Sequence, residues 1–287
     1  METFQTPELK LRAPENRDAD KAALQALAQA AINVELFTIP LYMVSLYSIQ
    51  GTHQITSAGN DFYRGRMWPG ASASRDPEKS PNTANARAFN LFFSVFIDEM
   101  LHLQLASNIA KALGVMPTYN STLLQDSEYG WTCYDNTTTI PHILDFQDCV
   151  PPYNKITVKL DALTTEQNKL FLAIEQNEKD ARGIIDPNKT GSYFPVVPFE
   201  NWQATYTEAD LPMFGTIGWM YKCFWQYMEI EYTEGPSLFE SVFNRGTLER
   251  DLFNAASSYH KPEYPNMPTM ASGEINVQSA IDRKSVV

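Results

Sequence analysis

The chain has 287 residues, with 22 Lys+Arg against 34 Asp+Glu and a formal net charge of −12. Such acidity disfavours nucleic acids and anionic membrane surfaces, whose phosphates would repel it. A composition 44% hydrophobic and 20% charged suits a globular chain large enough to bury a core without staples. No uninterrupted run of about 18 apolar residues is visible, so no membrane span is expected. The polar, acid-bearing start (METFQTPELKLRAPENRDAD) does not read as a leader peptide. Cys133, Cys149 and Cys223 are odd in number and widely spaced, which suits free thiols in a reducing compartment; the expected location is the cytoplasm.

In chain order, residues 1–20 form a lead-in, and 21–287 read as one domain. Asp18 or Asp20 is placed to cap a helix starting near Lys21. Ala22 to Ile49 is apolar with few breaks, and Pro40 inside it should kink the helix. Residues 51–83 are rich in Gly, Ser, Asn and Pro and read as a long loop. A second helix covers about 85–113, stopped by Gly114 and Pro117. The stretch 115–213 is an irregular insertion, with strand-like ITVKLDAL and a short helix within TTEQNKLFLAIEQNE. A third long helix is expected near 215–233, and a short one in PSLFESVF. INVQSAIDRKSVV could start one more. Long helices separated by elaborate connections favour an all-α bundle.

Chemistry concentrates on two helices. Glu35 is the sole charge between Ala22 and Ile49 and lies on the stripe Ala28, Ala31, Glu35, Tyr42. A buried carboxylate must be neutralised, paired or bound to a metal. Glu99 and His102, three residues apart, share a face of the second helix along Val95, Glu99, His102, Ala106. In carboxylate bundles, Glu-x-x-His from one helix meets Glu from a neighbour around one or two metal ions. Oxygen plus imidazole donors suit iron, manganese or zinc. The competing reading is a buried Glu35–His102–Glu99 hydrogen-bonded cluster that fixes helix register.

Other candidates carry less. His53, His142 and His260 lie in loop-like sequence and read as surface residues. Trp219, Tyr221, Phe224, Trp225 and Tyr227 read as packing mass of the third helix, and Cys223 as core. No Gly-rich phosphate loop, nucleophile elbow or dinucleotide fingerprint is present.

ALQALAQAAINVELFTIPLYMVSLYSI followed by IDEMLHLQLASNIAKALGVMP resembles the ferritin-like domain of the iminophenyl-pyruvate dimer synthase family, of the violacein and rebeccamycin type. Matching positions run from Glu35 to Pro40, then Tyr42, Leu46 to Ile49, Asp98 to His102, and Asn108, Ala112, Gly114 and Pro117. Phe171 to Glu175 and Gly215 to Tyr221 fit later segments. The resemblance implies a ferritin-like helix bundle with long insertions and a truncated last helix. It also implies an iron-dependent oxidative enzyme acting on a small metabolite in secondary-metabolite biosynthesis. Glu35, Glu99 and His102 would hold the ion, with iron favoured and manganese or zinc open. Tyr42 would donate a hydrogen bond to a ligand or substrate.

Two departures bear on that reading. Trp219 stands where the family commonly carries Glu, and Glu229, ten residues on, lies about 15 Å along the helix and cannot replace it. The chain also stops at Val287, before the family's Gly-Glu-Gly and His-Tyr-x-x-Phe segments. Trp219 would then form an apolar wall of the site, and Glu175 would add a carboxylate if its segment folds over the centre. The alternative is a non-catalytic scaffold that has lost its metal and binds a partner protein or metabolite. A small-molecule substrate is the expected partner; self-association or a pathway-enzyme partner stays open.

Overall fold

A computed structural model describes residues 11–49, 84–126, 130–131, 133–134, 138–244 and 246. Its principal elements are α1 (Arg17–Tyr47), α2 (Ala84–Ala112), α3 (Thr165–Ile174), α4 (Glu178–Gly183), α5 (Ile217–Met228) and α6 (Leu238–Val242). The described residues are mostly helical or irregular, with one two-residue antiparallel ladder, β1 (Gln125–Asp126) on β2 (Gly130–Trp131). The all-α expectation holds.

α1 is the central element. Its 31 residues span about 46 Å at the α-helical rise, and α2 and α5 both pack on it. With the 3₁₀ turn before it, α1 is long and apolar enough to match a membrane span by length and composition alone. Packing accounts for its apolarity: 72% of its most apolar window is buried inside the bundle. Ala23, Leu24, Leu27, Ala30, Ile32, Val34, Phe37 and Leu41 are wholly enclosed.

α1 starts at Arg17 behind a 3₁₀ turn at Pro14–Asn16, earlier than Lys21. Neither Asp18 nor Asp20 caps it; Asn16 holds that position. Asp20 is buried instead, accepting from Arg12 Nε at 2.7 Å and the Tyr232 hydroxyl at 3.0 Å. Burial pushes its carboxyl above the usual range, with Arg12 opposing. Arg12 also joins its own backbone to the segment after α5, donating to the Glu231 carbonyl and accepting from Thr233 N–H.

α1 continues through Pro40. Proline removes one backbone donor and crowds the preceding turn. In that turn the carbonyls of Glu35 and Phe37 meet the hydroxyls of Thr38 and Tyr134 at 2.9 and 2.5 Å.

The end of α2 follows from Gly114, whose φ of +80° suits glycine. Gly114 N–H bonds Lys111 O and Val115 N–H bonds Ala110 O, a Schellman arrangement. The Gln25 amide from α1 covers Leu113 O at 3.2 Å. α5 starts at Thr216, whose hydroxyl accepts from Trp219 N–H at 2.8 Å.

The stretch between α2 and α5 contains α3 and α4, with 3₁₀ turns and bends around them. ITVKLDAL is assigned to none of the strands and has a single bridge position, at Val158. Tyr134 stacks on Phe37 at 4.9 Å, and Phe199 lies against Tyr227 at 5.1 Å, so aromatic rings seat this stretch on the helices. His142 is buried here, not at the surface: its Nε2 lies 3.1 Å from Asn33 Nδ2. Gln29 bonds Asn33 and Thr118, and Ser121 links Asn33 to Glu208. Cys133, Cys149 and Cys223 are buried free thiols. His53, His260 and the INVQSAIDRKSVV segment lie outside the described residues.

Candidate metal centre

The stripe read from α1 faces inward: Ala28, Ala31, Glu35 and Tyr42 are all buried. Glu35 is 0% exposed. From α2, Glu99 is 4% exposed, while His102 is half-buried and gives the group its more open side. His102 Nδ1 lies 3.4 Å from Glu99 Oε1 and 3.7 Å from Glu35 Oε2. One donor atom from each residue can be chosen so that all lie within 4.8 Å of one another.

Those separations fit a shared ion. An N–H···O bond normally closes to about 2.9–3.0 Å. Two donors on a tetrahedral ion at about 2.1 Å would instead sit about 3.4 Å apart. The donor set of two carboxylate oxygens and one imidazole nitrogen suits iron, manganese or zinc.

Hydroxyls hold the other oxygen of each carboxylate. Tyr221 on α5 donates to Glu35 Oε1 at 2.5 Å. Thr38 on α1 lies 2.5 Å from Glu99 Oε2. Thr38 has one proton for two acceptors, and the shorter bond to the charged group is the stronger. Burial raises the Tyr221 phenol well above its usual range, and the charges of Glu35 and Glu99 push the same way. It therefore stays a donor.

Tyr42 stands apart from this convergence. Its hydroxyl donates to Glu175 at the C-terminus of α3, and its ring stacks on Phe171 at 4.6 Å. Burial first, then the charges of Glu175 and Glu99, raise its pKa well above the usual value. Glu175 thus lies beside the stripe through Tyr42.

Tyr221 was masked in the sequence by its aromatic neighbours and is not mere packing mass. Trp219, two residues earlier and about 200° round the helix, faces elsewhere. Its indole donates to Pro195 O at 3.0 Å, meets Phe194 edge-on, and lies under Arg182 and Lys222. The group that α5 sends to the carboxylates is Tyr221, not Trp219.

Comparison with known proteins adds the family. The Ferritin-like family model matches residues 28–272, most of the chain. This chain belongs to the ferritin-like family. A solved structure of a ferritin-like protein from Caulobacter vibrioides is 21% identical to the ferritin-like chain. The alignment covers 91% of this chain and 65% of that one, with a TM-score of 0.47. The ferritin-like chain therefore corresponds to somewhat less than two thirds of that protein's length. No curated protein matches it.

Proposed function

We propose that this ferritin-like protein is a metal-dependent oxidative enzyme, with iron as the ion, acting on a small organic metabolite in a secondary-metabolite pathway of the cytoplasm. The observation that carries the reading is the convergence of Glu35, Glu99 and His102 from two helices in a nearly dry interior. Two buried carboxyl groups face one imidazole, an acid-rich donor set in the interior. Ionised, such a set calls for a cation.

Glu35, Glu99 and His102 would hold the ion through one atom each. When bound, iron with open positions would supply redox chemistry toward dioxygen and a small substrate. The residues of this chain shape what surrounds it. Glu35 and Glu99 fix the charge, Tyr221 and Thr38 hold their outer oxygens, and the half-buried His102 marks the side open to approach. The Tyr42–Glu175 pair provides a hydroxyl and a carboxyl beside the same stripe for proton handling or substrate orientation.

Elemental analysis of protein made in iron-replete medium tests this directly. Near-stoichiometric iron or manganese is expected in the parent protein and loss of it in Glu35→Ala and His102→Ala. Unchanged metal content in both variants would refute the proposal. A second reading, a bundle that binds a metabolite or partner protein without catalysis, is favoured by Trp219, whose indole contacts lie away from the carboxylates. Metal-free protein from the same preparation would support it.

A further inference from the structure

We infer that Tyr221 and Thr38 are positioning residues that make each carboxylate a one-oxygen donor and so shape the centre for a single ion. The inference rests on the metal reading above and deepens it.

A carboxylate has two oxygens, and it can clasp one ion with both or bridge two ions with one each. Here Glu35 Oε1 accepts the Tyr221 hydrogen bond at 2.5 Å, while Oε2 turns toward His102. Glu99 divides the same way: Oε2 lies 2.5 Å from Thr38, and Oε1 turns toward His102. Both hydroxyl bonds fall at the short end of charge-assisted O–H···O⁻ contacts. For either carboxylate to clasp or bridge with its second oxygen, one of these bonds would have to break in the interior. Breaking the Tyr221 bond would cost a buried phenol its carboxylate acceptor, and breaking the Thr38 bond would leave that hydroxyl only the neutral Glu35 carbonyl at 2.9 Å, a weaker acceptor than a carboxylate.

The hydroxyls come from different places. Thr38 lies one turn beyond Glu35 on α1 and reaches across to α2; Tyr221 reaches to α1 from α5. Three helices therefore fix the rotamers of two ligands. Hydrogen bonds from outside a metal's ligand set orient the ligands, and losing one typically weakens binding about 10–100-fold.

The test titrates Co(II) alone into the metal-free full-length protein, reading visible absorption and counting bound ions by equilibrium dialysis. The parent protein should take one Co(II) per chain. Tyr221→Phe and Thr38→Val should each bind about 10–100-fold more weakly, while Thr38→Ser, which keeps the hydroxyl, should bind like the parent. Unfolding midpoints of the metal-free variants separate a loss of positioning from a loss of fold. The inference is overturned if Tyr221→Phe and Thr38→Val, folded, bind as tightly as the parent, or if the parent takes two Co(II) per chain. Either result leaves the metal reading standing, provided His102→Ala loses Co(II). A parent protein that takes no Co(II) overturns the metal reading and this inference together.

Discussion

Tyr221 donates its phenolic proton to Glu35 Oε1 at 2.5 Å, joining α5 to the middle of α1 inside the core. The bond fixes one oxygen of a buried acid whose other oxygen faces His102. It also makes the centre a meeting of three helices, with consequences for stability as well as chemistry.

Removing the acid should uncouple metal from stability. A ligand at about 100 times its Kd stabilises the native state by about 2.7 kcal/mol. In a chain of this size that is a rise of roughly 5–10 °C in Tm. Adding Co(II) should raise the Tm of the parent by that amount and leave Glu35→Gln unmoved. Metal-free Glu35→Gln should melt no lower than the metal-free parent, because one of two crowded buried charges is gone. An equal Co(II)-induced shift in both proteins would sink the assignment of Glu35.

His142 predicts an acid-sensitive window. Burial lowers its pKa from 6.5 to about 4, so between those values the unfolded chain takes up a proton that the folded chain refuses. Stability is therefore full above pH 6.5 and falls as pH drops toward 4, by on the order of 3 kcal/mol. His142 has φ of 64°, a conformation that Asn tolerates. Urea unfolding of His142→Asn across this range should show a shallower pH slope than the parent; parallel curves would rule the effect out.

Asp20 joins the start of α1 to Arg12 and Tyr232. Asp20→Ala would leave a guanidinium and a phenol without their acceptor. Arg12 is 21% exposed and water partly replaces the lost partner, so the expected cost is about 2–3 kcal/mol, below that of a fully buried pair. Chemical denaturation at neutral pH measures it, and a loss under about 0.5 kcal/mol would count against the contact.

Gly215 precedes the cap of α5. A Cβ there would meet Phe194 Cζ at 2.6 Å, and that ring is held between Arg182 and Trp219. Gly215→Ala should destabilise by about 1–3 kcal/mol, the usual cost of overfilling a packed site. A thermal midpoint equal to the parent's would show that the ring yields freely.

The long helices were legible because each carries enough apolar residues, ended by caps or helix breakers, to mark itself. Glu35 and the Glu99–His102 pair were legible as charge in greasy surroundings, and they do meet. Tyr221 was not, since nothing local separates a tyrosine that reaches a carboxylate from its neighbours that fill space. A clue was present in Thr38: a polar residue one turn from Glu35 in an apolar run needs an acceptor, as a buried acid needs donors. His142 and Asp20 were misjudged for a related reason. Loops and helix starts are usually exposed, but burial depends on what folds over them, and their partners Asn33, Arg12 and Tyr232 sit on other segments.

The backbone link between Arg12 and the Glu231–Thr233 strip keeps α1 and α5 from sliding past each other. A slip of one residue along either axis moves side chains about 1.5 Å, enough to part a phenol and an acid now 2.5 Å apart. The short piece ahead of the first helix thus acts as an alignment pin, setting the longitudinal fit of two rods whose working groups lie far from it.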